Sequence, residues 1–251
     1  MSKKLKIFAV VPAYNEGTRI SKVIKDLKKY KYNIVVVDDA SSDSTVKVVK
    51  KFKNVLLVEQ KINLGQGAAL RVGIKRALKA GADIVITFDA DGQHQAKEIE
   101  ELVKPIRENI VDISLGSRFL TKKTKMPLTR EILLKGSVLV ERILLGVKLT
   151  DAHNGFRAMS RKSAKKIRIK ENRMAHASEI IKEISRNGLR YTEVPVEIIY
   201  SKDTLENGTG SYSTAIGILY KILLWKFNII QKFFKFSELN DFRIWCLYEF
   251  F

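Results

Sequence analysis

An α/β architecture is what this sequence predicts: a mostly parallel central sheet with helices on both faces, plus an amphipathic helix near the C-terminus. Three observations carry the prediction. Apolar runs of strand length alternate with segments of helical spacing. The runs are apolar on both faces, as expected of strands covered on both sides. Polar residues cluster directly after the runs, at the edge where open α/β sheets bind ligands.

The elements follow in order. IFAVVPAYNEG (7–17) is an apolar run ending in a polar turn, and TRISKVIKDLKKY (18–30) is helical through Ile20, Val23, Ile24 and Leu27. NIVVVDDASSDS (33–44) is a second strand ending in carboxylates, with Asp43 or Ser44 able to cap the helix TVKVVKKF. NVLLVEQ (54–60) is a third strand, and NLGQGAALRVGIKRALKAG (63–81) a glycine turn and helix. DIVITFDAD (83–91) is a fourth strand, AKEIEELVKPIREN (96–109) a helix, and DISLGSRF (112–119) a fifth strand. MPLTREILLKGSVLVERILLGVKL (126–149) is helical and TDAHNGFRAMSRKSA (150–164) a polar loop leading into a helix. RMAHASEIIKEISRNG (173–188) is a helix stopped by Gly188. LRYTEVPVEIIY (189–200) is a strand that Pro195 assigns to an edge. A glycine-containing loop (201–213), a lysine-punctuated amphipathic helix (214–236) and a tail complete the chain. This divides it into a main domain, 1–210, an amphipathic segment, 211–236, and a tail, 237–251.

The chain has 251 residues, ample for a real core, with 46 Lys plus Arg against 27 Asp plus Glu. The net charge of +19 points to an anionic partner: nucleic acid, an anionic membrane or a phosphorylated substrate. The basic residues are scattered and form no recognised nucleic-acid module, so nucleic acid is not expected. One cysteine, Cys246, excludes an intrachain disulfide and fits a reducing compartment. The apolar start is cut short by Pro12 and reads as a strand instead of a signal peptide. No uncharged apolar stretch reaches about 18 residues, so no membrane span is expected.

Chemistry concentrates at the strand ends. Asp89 and Asp91 in TFDADGQH can approach one cation if the chain turns after Asp89. Oxygen ligands of that kind suit Mg²⁺ or Mn²⁺, with Gln93 and His94 near enough to add a ligand. Pro12, Ala13, Tyr14, Asn15 and Glu16 follow the first strand, and Asp38 and Asp39 the second. A tyrosine ring can stack on a nucleobase and an aspartate can accept its ring N–H. Asn63, Gly65, Gln66 and Gly67 open a helix, and both glycines are open to either a plain tight turn or a ligand approach. This is no dinucleotide fingerprint: Leu70 holds the third glycine position, and the segment precedes the fourth strand.

Taken in order, VVPAYNEG, VVVDDASSDST, NLGQGAALRVGIKRA, FDADGQH, LGSRF and DAHNGFRAMSR resemble the family-2 inverting glycosyltransferases of GT-A (Rossmann-like) fold, in the branch of dolichol-phosphate mannose synthase-like enzymes. The likeness is continuous over 7–160 and looser to about 213. It implies a catalytic domain over 1–210 and transfer of a hexose from a UDP- or GDP-sugar. It implies that Pro12, Ala13, Tyr14, Glu16, Asp39 and Gln66 face the nucleotide. Asp89, Asp91 and Gln93 would bind Mg²⁺ or Mn²⁺ and, through it, the diphosphate. Arg118 and Arg130 would face substrate phosphates. Asp151, Asn154, Gly155 and Arg157 match the loop that shapes the sugar and acceptor site.

The acceptor follows from pKa. A polyprenyl phosphate is already an anion and needs no strong base, whereas a saccharide hydroxyl needs one, with Asp151 and Glu179 as candidates. A polyprenyl or dolichyl phosphate is the expected acceptor, with a saccharide hydroxyl in cell-surface polysaccharide synthesis as the alternative. The 126–149 and 214–236 segments, with Trp225 and lysines in the second, suit a bilayer interface, or else packing and self-association. A peripheral place at the cytoplasmic face of a membrane is the expectation. A small membrane partner subunit or a homo-oligomer would assist anchoring. The sequence departs from the family where many relatives carry an arginine-rich segment: here it reads YSKDTLENGTGSYS, with Lys202 a point charge instead of a fork.

Overall fold

The structure is a computed structural model that describes residues 5–121 and 128–199. Seven strands form one sheet in the order β3-β2-β1-β4-β6-β5-β7. These are β1 (Ile7–Ala13), β2 (Asn33–Asp38), β3 (Val55–Glu59), β4 (Ile84–Thr87), β5 (Ile113–Ser117), β6 (Arg157–Ser160) and β7 (Tyr191–Pro195). The helices are α1 (Ile20–Lys29), α2 (Thr45–Val49), α3 (Gln66–Lys79), α4 (Ile99–Arg107), α5 (Leu128–Leu145), α6 (Arg161–Lys166) and α7 (His176–Arg186). The amphipathic segment expected at 214–236, the loop before it, the tail, Lys202, Trp225 and Cys246 lie outside the described residues.

Successive side chains on a strand face opposite ways, and each face of this sheet is apolar because each meets helices. Val11, Ile34, Val36, Ile84, Ile86 and Ala158 pack with α1 and α4. Val10, Val35, Val37, Val85, Leu115 and Met159 pack with α3, α6 and α7. α1 shows the pattern plainly, burying Ile20, Val23, Ile24 and Leu27 at helical spacing. β7 sits at one edge of the sheet beside β5, and its Pro195 pairs in register with Ser117.

One expectation fails. The polar segment 150–164 holds β6, which enters the sheet between β4 and β5 and runs antiparallel to both. Four residues are too few to show a period, and the pairing that makes them a strand is with β4 and β5, both distant in the chain. β6 brings Arg157 opposite Thr87, at the C-terminal end of β4, and Leu115, midway along β5. The fourth strand also ends earlier than its apolar run, at Thr87, so Asp89 and Asp91 lie beyond it.

Candidate active site

The C-terminal ends of β1, β2 and β4 and the start of β6 meet at one edge, and the expected site residues divide between what holds the loops and what faces the cleft. Ala13 and Pro12 are buried in β1, with Pro12 in register with Val37. Tyr14 is 50% exposed, so its ring is available for stacking. The turn after β1 is laced to the turn after β2. Glu16 N–H donates to Thr45 Oγ1 at 2.8 Å and Gly17 N–H to Asp43 Oδ2 at 2.9 Å, while Asn15 Oδ1 accepts from Ser42 N–H. Asp39 is buried and takes three donors: Gln60 Nε2 at 2.7 Å, Leu64 N at 2.9 Å and Gly65 N at 2.6 Å. A carboxylate can accept about four, so little capacity remains for a ligand. Its neighbour Asp38 accepts Ser41 N–H with one oxygen, while its buried Oδ1 has no partner among the described residues.

The glycines before α3 make room for the chain itself. A Cβ on Gly67 would lie 2.1 Å from the Glu171 carbonyl oxygen, and Ala68 N–H donates to Asn172 O. Arg71 fixes the same linker through Ile169 O and Asn172 Oδ1. The N-terminus of α3 is thus engaged by the protein's own carbonyls. Gln66, on its first turn, reaches out and donates to Asp89 Oδ1 at 2.8 Å.

Asp89 and Asp91 flank a turn completed by Gly92 at φ +78°. Burial pushes the Asp89 carboxyl up to about 6. Burial, then the Asp89 charge, raise Asp91, and Asp91 in turn contributes to the raised pKa of Glu16, whose first cause is burial. Three carboxyl groups therefore share one field. Asp91 Oδ1 accepts Gln93 N–H at 2.9 Å. No group of three or more His, Cys, Asp or Glu side chains arranged to hold a metal occurs among the described residues. Two carboxylates suffice where substrate phosphates complete the shell of Mg²⁺ or Mn²⁺. Half-buried carboxyls in mutual repulsion fit such an ion, which would remove both penalties.

His94 is held as the neutral orienter of Asp89. Its ring stacks on Phe156 at 4.8 Å and meets Phe88 edge-on. Burial pushes it down to about 4. The Asp89 backbone N–H donates to Nδ1 at 3.2 Å, so the ring proton is on Nε2, 3.5 Å from Asp89 Oδ2. Gly155 completes the enclosure: a Cβ there would sit 2.6 Å from Asp89 Oδ2.

Arg157 is 1% exposed, donates to Ala152 O at 3.1 Å, and leaves Nη1 without a partner among the described residues. Burial lowers its pKa to about 10, and the Asp89, Glu141 and Asp151 carboxylates oppose that shift. Arg118 and Asp151 come together as each other's partners, through Nε to Oδ2 at 2.6 Å and Nη2 to Oδ1 at 3.0 Å. Glu193 on β7 holds the same loop by accepting Thr150 and Asp151 N–H. Glu179 accepts the backbone N–H groups of Lys170 and Glu171. Arg130 falls on α5, and its side chain lies outside the described residues.

Glu141 escaped sequence reading. It is 3% exposed on α5, accepts from Ser178 Oγ, and lies 3.5 Å from His153 Nε2. A signal existed: Val138, Glu141 and Leu145 share one stripe of a helix whose period calls for an apolar residue at 141.

A mostly parallel sheet with one reversed strand thus gathers acidic turns and two buried arginines at its carboxyl edge. The chain belongs to glycosyl transferase family 2, whose sequence model matches residues 8–168, and it is a glycosyltransferase. It is 41% identical over 228 residues to an uncharacterised protein of Methanocaldococcus jannaschii, covering 89% of this chain and 93% of that one. It is 32% identical over 247 residues to the UDP-N-acetylglucosamine–dolichyl-phosphate N-acetylglucosaminyltransferase of Methanococcus voltae, covering 90% and 98%. Its fold matches the glucosyl-3-phosphoglycerate synthase of Mycobacterium tuberculosis, solved with Mn²⁺, UDP and phosphoglyceric acid. There the TM-score is 0.66 at 20% identity, over 87% of this chain and 78% of that one.

Proposed function

We propose that the protein transfers a hexose, with inversion, from a UDP- or GDP-sugar to a polyprenyl or dolichyl phosphate. The observation that carries the choice of acceptor is the state of the two candidate bases. Asp151 is tied in a two-point pair with Arg118, and Glu179 is spent on the 170–171 backbone. With both carboxylates engaged, the site suits an acceptor that arrives ionised, and a phosphate monoester does so near neutrality. The name carried by the Methanococcus voltae relative supports the same acceptor class.

The residues then take roles. Tyr14 stacks on the base, Asp38 receives the base or ribose with its open Oδ1, and Asp39 holds the 60–65 turn that frames them. Asp89 and Asp91 would hold Mg²⁺ or Mn²⁺, which when bound stabilises the charge growing on the diphosphate leaving group. The Mn²⁺ and UDP in the mycobacterial structure support that assignment. Gln66, His94 and Gly155 fix the Asp89 carboxylate. Arg157 and Arg118 supply positive charge beside it, with Asp151 positioning Arg118. Reaction of lipid phosphate requires contact with a membrane surface, here its cytoplasmic face. Leu139 and Ile143, exposed one turn apart on α5, support such contact. No helix among the described residues is long and apolar enough to cross a membrane.

The test is a product assay with Mg²⁺ or Mn²⁺, a panel of UDP- and GDP-sugars and a short polyprenyl phosphate, read by mass spectrometry. A glycosyl-phosphate lipid is expected, and Asp91→Asn lowers its formation about a thousandfold. Transfer to saccharide hydroxyls alone would overturn the acceptor assignment.

A further inference from the structure

Two charged side chains, Arg157 on β6 and Glu141 on α5, are buried with one atom of each left over. The Arg157 guanidinium has its Nη1, and the Glu141 carboxylate its Oε2, each buried and each without a hydrogen-bond partner among the described residues. Glu141 is near enough to act on the Arg157 charge, yet no hydrogen bond joins the two. Leaving both atoms unpaired is costly in an interior, more so for charged groups. The remaining oxygen of Glu141 is fixed: Ser178 Oγ donates to Oε1, and His153 Nε2 lies beside it. The carboxylate is therefore fixed at one oxygen, and the other meets no donor among the described residues.

The group that satisfies both ends must accept a hydrogen bond from Arg157 and donate one to Glu141. A phosphate cannot, because it has no proton to give and Glu141 would repel it. A hydroxyl does both. Arg157 also stands beside Asp89, where the donor's diphosphate belongs, so the next group along a nucleotide sugar is the hexose ring.

We propose that Glu141 is a specificity residue that accepts a hydrogen bond from one hydroxyl of the transferred sugar, with Arg157 Nη1 donating to the same hydroxyl. This rests on the nucleotide-sugar reading above. Glu141 touches no phosphate in this scheme. Its removal changes which sugar is held and leaves the grip on the nucleotide unchanged.

The experiment is calorimetry on the full chain with Mn²⁺, using UDP, GDP, UDP-glucose, UDP-galactose, UDP-N-acetylglucosamine, GDP-mannose and single-deoxy analogues of whichever sugar donor binds tightest. In the wild-type protein, loss of one particular hydroxyl weakens binding roughly ten- to a hundredfold. In Glu141→Gln, which keeps an acceptor for Ser178, the same loss costs less than about threefold and UDP or GDP affinity is unchanged. The analogue series on wild-type protein stands even if the variant folds poorly. The inference is overturned if no single hydroxyl matters in the wild type. It is overturned equally if the penalty persists in Glu141→Gln, in which case ordered water fills the gap. Binding of no nucleotide or nucleotide sugar at all would sink the donor reading itself, and the inference with it.

Discussion

The two halves of the sheet are held together by different chemistry. On the β1–β2 side, carboxylates bind backbone amides: Asp39 takes Leu64 and Gly65 N–H, and Asp43 takes Gly17 and Thr45 N–H. On the β5–β6 side, charges bind charges: Asp151 pairs with Arg118, while Glu141 and Arg157 each bury one polar atom that has no partner among the described residues. The first arrangement fixes loop shape and is nearly complete without a ligand. The second buries charge whose balance awaits something bound. On the function proposed above, the first side would be a nucleotide pocket formed in advance and the second a sugar and phosphate pocket completed by substrate.

The largest effect should come from breaking the charged half. Asp151→Ala removes the two-point carboxylate partner of the buried Arg118 guanidinium, costing about 3–5 kcal/mol in denaturant unfolding. The double variant Arg118→Met/Asp151→Leu should recover most of that stability and none of the transferase activity. If the single variant is as stable as wild type, the contrast between the halves fails. Next is the amide-bound half. Asp39→Asn must turn an NH₂ toward a backbone N–H, costing about 1–3 kcal/mol and weakening nucleotide binding. Asp38→Asn, with one oxygen unengaged, should cost less on unfolding. Equal losses in the two variants would remove the distinction between holding and receiving residues.

A third effect lies between the halves, at His176, beside Arg157 and the start of α3. Burial depresses its pKa to about 4 from the usual 6.5, and Arg157 adds to the shift. The folded state therefore binds fewer protons than the unfolded state. The stability this contributes is complete above pH 6.5 and is lost as pH falls through 6.5 toward 4. At pH 5 the loss is about 2 kcal/mol, from ~1.4 kcal/mol per pKa unit. Thermal unfolding of wild type and His176→Asn at pH 7.5 and pH 5 measures it, and the variant should show the smaller drop. The smallest effect is a control on α5: Gly136 is exposed with open space around its Cα, so Gly136→Ala should stabilise by at most about 1 kcal/mol, with activity unchanged.

The same division explains what the sequence made legible. The first four strands and the helices between them follow from local periodicity, and their end turns carry the acidic residues in plain view. Asp89 and Asp91 could be picked out because a solid apolar run ends in them. In the other half β5, α5, α7 and β7 also show in the local pattern, but β6 and the charged groups around it depend on contacts that no local window contains. β6 is only Arg-Ala-Met-Ser, and it is a strand because β4 and β5 leave a place for it. Asp151 reads equally well as a base or a loop residue until Arg118 is found against it. Glu141 looks like a flaw in an apolar stripe until Ser178 and His153 appear beside it.

The reversed strand also sets an order of assembly. β5 pairs only with β6 and β7, both of which come later in the chain. As the polypeptide emerges from the ribosome, β1 to β4 can already form a four-stranded parallel sheet with α1 and α3 packed on it. β5 must wait with no neighbour, and the outer edge of β4 stays open, until residue 160 is available. The acidic turns are thus in place early in synthesis, while the arginine that answers them arrives with the strand that closes the sheet.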